Sequence, residues 1–169
     1  MATESSLLTS LKARLVARTW TGGANVVFGT GCVAITANAD IATQQALKTM
    51  RTPFALLQPL ESNSDPEFDE NPNYVELNVQ VRVGVMVPGD AVGENPLMGA
   101  NKTAGSTFSE GRGLFEVEAE VFNAIGAVNG NESIILQCRQ KGAVQAQYLD
   151  SGTWVAWRDL TFSVMGTYV

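Results

Sequence analysis

From Val75 to Val87 apolar and other residues alternate without a break. Val75, Leu77, Val79, Val81, Val83, Val85 and Val87 hold the odd positions, with Glu76, Asn78, Gln80, Arg82, Gly84 and Met86 between them. Because successive side chains of a strand point to opposite faces, this pattern predicts a strand with one buried side. At about 3.3 Å per residue its thirteen residues span roughly 43 Å, about twice a usual strand. Surplus length of this kind suits a sheet edge, a protruding ribbon or an intersubunit contact. The alternative is a strand bent across a two-layer core, with Gly84 marking a bulge.

A second period governs other parts of the chain. Leu7, Leu8, Leu11 and Leu15 recur at helical spacing behind Ser5 and Ser6, predicting a helix from about Ser6 to Ala17 that stops before Gly22-Gly23. Asp40 is the expected cap of a second helix, Ile41 to Met50, ended by Pro53, since proline disfavours helix in the residue before it. Leu114, Val117, Val121, Ile125 and Val128 mark one face of a third, with Phe115 and Phe122 widening the stripe and Asn129-Gly130 as the stop.

Val26 to Phe28, Cys32 to Thr36 and Phe54 to Leu60 read as shorter strands. Ser133 to Gln140 and Ala143 to Leu149 read as a hairpin about Lys141-Gly142, and Trp154 to Val169 as a last strand. The order neither repeats a βα unit nor forms an all-β set. It predicts an α+β fold, a mixed and largely antiparallel sheet with about three helices on one face, as a single domain over 1–169. Two stretches stand outside these elements: an acidic loop at 61–74, ESNSDPEFDENPNY, and a long irregular loop at 88–113, a candidate assembly arm.

Composition narrows the function. A chain of 169 residues, 45% hydrophobic and 17% charged, is long enough to bury one core. Nothing in it reads as a signal peptide or a membrane span, so a protein made in a cytoplasm is expected. The chain contains no histidine, which removes Ser-His-Asp and Cys-His nucleophiles and most zinc sites. Cys32 and Cys138, in apolar surroundings without a CxxC partner, are expected as buried free thiols. Arg14 and Arg18, four apart, read as a solvated helix face, and Trp154 and Trp157 as core or interface fillers.

The net charge of −6 is unevenly distributed: residues 1–60 carry +3, residues 61–76 carry six acids and no base, and the remainder carries −3. Such a chain is a poor candidate for tight nucleic-acid binding, which requires neutralised phosphates. Its acids still suit the wall of a path that nucleic acid slides through.

Two motifs invite ligand readings. Gly29-Thr30-Gly31-Cys32-Val33-Ala34 satisfies G-x-G-x-x-A, but the following Val33, Ile35 and Thr36 favour a strand where a dinucleotide site needs a helix, so a tight turn explains the glycines better. Asp65, Glu67, Asp69 and Glu76 match positions 1, 3, 5 and 12 of a calcium loop, yet Glu70 stands where that loop needs glycine. A carboxylate pair for glycoside hydrolysis lacks a second acidic region. A solvated acidic loop accounts for these residues without any ligand, and no catalytic, cofactor or metal residue is expected.

The assembled pattern resembles the tail terminator proteins of long-tailed bacteriophages. The resemblance is carried by the first helix, the second helix running into Arg51-Thr52-Pro53-Phe54-Ala55-Leu56, the acidic loop and the alternating strand Val75 to Val87. Gly113-Leu114-Phe115 at a helix start, the Asn-Gly stop and the closing Leu160-Thr161-Phe162-Ser163-Val164 continue it. It implies a non-enzymatic α+β virion protein of the tail or neck, assembled in the host cytoplasm as a homohexameric ring. Its implied partners are the tail tube protein and a head-connector or stopper protein, with DNA only as passing cargo. Glu61, Asp65, Glu67, Asp69 and Glu70 then become the candidate channel-facing acids. The alternatives are a head-completion or adaptor protein of the same neck, or a small cytoplasmic ligand-binding module.

Overall fold

The computed structural model of the chain describes residues 4–49, 53–60, 74–88, 95–99, 112–126, 134–149 and 152–167. In chain order these form α1 (Glu4–Ala17), β1 (Val33–Ile35), α2 (Ala39–Thr49), β2 (Phe54–Pro59), β3 (Tyr74–Pro88), α3 (Asn95–Met98), α4 (Leu114–Gly126), β4 (Ile134–Lys141), β5 (Gln145–Leu149) and β6 (Thr153–Thr167). The fold is α+β. One six-stranded sheet runs β1-β2-β3-β6-β4, with β5 also paired to β6, and every pairing is antiparallel except β1 with β2.

The alternating strand is the interior of this sheet. β3 lies between β2 and β6 and pairs with β6 over fifteen consecutive positions, from Tyr74↔Thr167 to Pro88↔Thr153, with no shift in register. Leu77, Val79, Val81, Val83, Val85 and Val87 are all buried. The expectation of an edge ribbon is corrected for Val79 to Gly84, which lie between β2 and β6, while among the described residues the two ends of β3 have only β6 as a strand partner. The expected bulge at Gly84 is corrected as well, since the register is unbroken there. Gly84 serves a different end, since a Cβ there would stand 2.1 Å from Cζ of Phe54. Phe54 and Gly84 are cross-strand partners, and the glycine leaves the room its ring occupies.

Register assigns the faces. On one face the odd positions of β3 join Ala55 and Leu57 of β2 and Ala156, Leu160, Phe162 and Val164 of β6. α1 and α4 cover it, with Leu7, Leu11 and Leu15 of α1 and Leu114, Val117, Val121 and Ile125 of α4 buried in the same cluster. At roughly 1.5–3 kcal/mol for each fully buried aliphatic side chain, these seven outweigh any charge effect on the helices. The opposite face carries Leu56, Gln58, Gln80 and Arg82, and there α2 docks: Gln58 Oε1 accepts from Ala39 N, and Arg82 reaches Asp40 and Thr43. Helices thus lie on both faces, where one was expected. Polar residues on the outer side of β2 and β3 reach the start of α2 by hydrogen bonds, which apolar periodicity does not report.

Local chemistry sets the element ends. Asn38, and not Asp40, caps α2, its Oδ1 accepting from the N–H groups of Asp40 and Ile41 at 3.0 and 3.1 Å. Gly29 O accepts from Cys32 N at 3.0 Å, and Gly31 has φ +80, so the glycines form a turn that feeds strand β1. Val26 to Phe28 contributes only an isolated bridge, Thr19↔Val26. Within the stretch expected to be irregular, α3 forms a single helical turn. Pro96 is buried there, and Leu97 packs against the core.

The expected hairpin about Lys141-Gly142 does not form. β4 and β5 both run antiparallel to β6, β4 against Leu160 to Gly166 and β5 against Thr153 to Trp157, so they are successive pieces of one strand line. The true hairpin joins β5 to β6: Leu149 pairs with Thr153, Gly152 N donates to Leu149 O at 3.0 Å, and Gly152 has φ +77, the left-handed conformation a three-residue turn needs. The bulge in this sheet lies in β4, between Cys138 and Gln140.

Candidate assembly surface

β3 separates the two stretches singled out in the sequence. Chain 61–73, which holds Glu61, Asp65, Glu67, Asp69 and Glu70, lies outside the described residues, but the described chain enters it from Leu60 and leaves it at Tyr74. Leu60 N donates to Asn78 O at 2.7 Å, placing this departure beside the first third of β3. Most of 88–113 lies outside the described residues too, and it departs from Pro88 at the far end of β3. Fourteen rises at about 3.3 Å set Tyr74 and Pro88 roughly 46 Å apart. The chain returns at Arg112 and Gly113 to start α4, where a Cβ on Gly113 would lie 2.3 Å from Leu97 O. This close approach fixes α3 against α4, so part of the candidate arm belongs to the packed body.

The sheet margins form a second feature. β1 is one edge; β4 and β5 make the other, and among the described residues no strand pairs with their outer side. Gln145, Ala146, Gln147 and Tyr148 are all exposed. Tyr148, 54% exposed, packs edge-on against Trp154 with ring centroids 5.1 Å apart. Trp154 is thus an edge contact, and both it and Trp157 are partly buried.

Several charged residues of the described body are paired across elements. Arg82 forms a fork on Asp159, Nε to Oδ1 at 2.7 Å and Nη2 to Oδ2 at 2.9 Å, while Nη1 donates to Asp40 at 2.6 Å. The bonds to Asp159, with those to Asp40, outweigh burial and raise the guanidinium above its already high value. Glu118 on α4 is buried and meets Lys141 at 2.8 Å and Arg158 at 3.2 Å. Glu120, on the same helix, accepts from Thr21 N at 2.9 Å and from Arg18 Nε at 2.8 Å. Burial pushes the Glu120 carboxyl up, but the bonds from Thr21 and Arg18 outweigh it and hold the group below its ordinary value.

Arg18 is therefore a tie to α4 and not the solvated face expected of it. Arg112 adds a cation over the Trp20 ring, 4.7 Å from its centroid, and a 3.0 Å pair with Glu116. Local sequence pattern does not reveal these networks because their partners are separated by as many as 102 positions. The one signal it carries is a pair of glutamates, Glu118 and Glu120, in the middle of a helix otherwise apolar at its inward positions.

Each of these carboxylates is neutralised by a guanidinium or ammonium group, which favours structural ties over proton transfer. Among the described residues no group of three or more His, Cys, Asp or Glu side chains is arranged to hold a metal ion. No helix of the described residues is long and apolar enough to cross a membrane. Cys32 is buried as expected; Cys138 is only half-buried, because β4 lies at the sheet margin. Neither is in a disulfide. Comparison with protein-family models finds no match for this chain, and none of the curated proteins matches it.

Proposed function

We propose that the protein is a structural subunit of a bacteriophage neck, a tail terminator that closes the head-proximal end of the tail tube as a homomeric ring and joins it to the head connector. The observation that carries this reading is the separation of two chemically different insertions by one rigid ribbon. Fifteen β3 residues, paired throughout with β6, hold the entry to an acid-rich segment at one end and the departure of a glycine-rich segment of mixed charge at the other. A ring subunit that meets a tube on one side and a connector on the other needs two such ends. An α+β body agrees with what the resemblance implies for this family.

In this reading Glu61, Asp65, Glu67, Asp69 and Glu70 border the opening through which DNA passes, where clustered carboxylates repel phosphates and keep the duplex from adhering. The test is immunogold electron microscopy of particles containing the chain, combined with copy-number measurement by mass. Label at the head–tail joint with six copies per particle is expected. One copy per particle, or label away from the joint, would overturn the proposal.

A further inference from the structure

We infer that the joint between neighbouring subunits is an edge-to-edge sheet contact in which β5 of one copy, Gln145 to Leu149, pairs with β1 of the next, Val33 to Ile35. This rests on the ring reading and specifies the surface that builds the ring. An open sheet edge presents unpaired N–H and C=O groups, and proteins usually guard it with lysine, proline or a bulge. β5 reads QAQYL, with no charge and no proline. β1 reads VAI and is likewise uncharged.

The backbone of β1 is turned correctly for such a contact. Cys32 O accepts from Ala55 N and Thr36 N donates to Leu57 O, so the even positions of this segment bond inward to β2. In a parallel ladder alternate residues address the same neighbour, which leaves the N–H and C=O of Val33 and Ile35 directed outward. Ile35 is 41% exposed and Tyr148 54%, giving each margin an apolar side chain to cover.

Direction agrees as well. β3 runs opposite to β2, β2 runs with β1, and β6 runs opposite to both β3 and β5. Continuing the sheet from one copy to the next therefore places β5 antiparallel to β1, the pairing with the straighter hydrogen bonds. Ala34 is level with Arg82 through Leu56, and Gln147 is level with Met86 through Val155. The offset from 82 to 86 is a stagger between the two margins, and a sheet that closes on itself requires one.

β4, on the same margin as β5, carries the bulge and Lys141, which confines an edge contact to β5. The occupant is a second copy because the uncharged segments β1 and β5 lie on opposite sides of one sheet. Two different patches that fit each other make a head-to-tail contact, the kind that builds a ring when the rotation between copies closes. Nucleic acid is a poor occupant, since neither β1 nor β5 carries a base to meet phosphate.

The test uses the full chain with Cys32→Ala and Cys138→Ser as background, assembled on tail tubes and treated with a short bis-maleimide. Ile35→Cys and Ala146→Cys, whose side chains share the Val81 and Val85 face of the sheet, should together give a covalent ladder extending beyond the dimer. Either alone should give no linked product, and an equal mixture of the two single variants should stop at dimers. Linked dimers from Ala146→Cys alone would show an isologous contact and overturn the inference. Intact rings without any ladder would overturn it while leaving the ring reading standing. Absence of rings on tubes with the unaltered chain would remove both. As a second arm, Gln147→Lys should release subunits from the ring, and Thr9→Lys on the exposed side of α1 should not. Equal retention of the two lysine variants would also overturn the joint.

Discussion

Arg158 donates from Nε to the carbonyl oxygen of Gly142 at 2.7 Å, at the point where β4 gives way to β5. Gly142 N in turn donates to Asp159 O at 2.7 Å. Arg158 lies on the face covered by α4 and reaches buried Glu118, which also holds Lys141. The interruption is thus bonded both to its neighbour β6 and, through Glu118, to a helix above. It functions as a pinned bend in one long strand line, which is why Lys141-Gly142 does not reverse the chain.

Glu118→Ala leaves Arg158 and Lys141 without their shared acid. Breaking a fully buried pair costs about 3–5 kcal/mol, and the water still reaching both cations lowers the expected loss here to about 2 kcal/mol. Urea unfolding of Glu118→Ala, Arg158→Ala and the double variant checks this. The double variant should lose less than the sum of the single losses, and strict additivity would mean that the two side chains do not act together.

Gly84→Ala forces a methyl into the space of the Phe54 ring. Overpacking of this kind costs about 1–3 kcal/mol. The same substitution made in a Phe54→Leu background should cost clearly less, because the smaller side chain vacates the contact. Equal losses in both backgrounds, read from denaturation midpoints, would place the constraint in the backbone and not in the ring.

The Glu120 carboxyl titrates below its ordinary value of 4.5 in the folded chain. A depressed carboxyl adds stability that is fully present above its unfolded value and is lost as pH falls through the folded one. Unfolding measured from pH 6 down to about pH 3 should therefore show a decline in stability that is shallower in Glu120→Gln than in the unaltered chain. Glu120→Gln should also loosen the Arg18 to Val27 segment, since the ties to Arg18 and Thr21 both end on this carboxylate. Identical pH slopes for the two proteins would remove Glu120 as a contributor.

Much of the framework is legible in the order of residues alone. Alternation from Val75 to Val87 announces β3, and the leucine spacing from Leu7 to Leu15 announces α1, because each pattern records which side faces the core. The glycines at 29 and 31 are readable as a turn because Val33 and Ile35 disfavour a helix there. The candidate acids at 61, 65, 67, 69 and 70 are conspicuous only by composition, and they lie outside the described residues.

Local pattern was enough to set most of the strands and helices and which side of each long element is apolar; it missed the single turn α3 and read a strand at Val26 to Phe28, where only an isolated bridge forms. Long-range packing put β3 at the centre, laid β4 and β5 along one side of β6, and carried α2 to the far face. Periodicity is a local property of one element, whereas these outcomes depend on partners far apart in the chain, such as Arg82 with Asp40 and Asp159, or Arg18 with Glu120. An alternating strand has the same pattern at the middle of a sheet as at its edge. Only the register, set by packing two faces at once, distinguishes them.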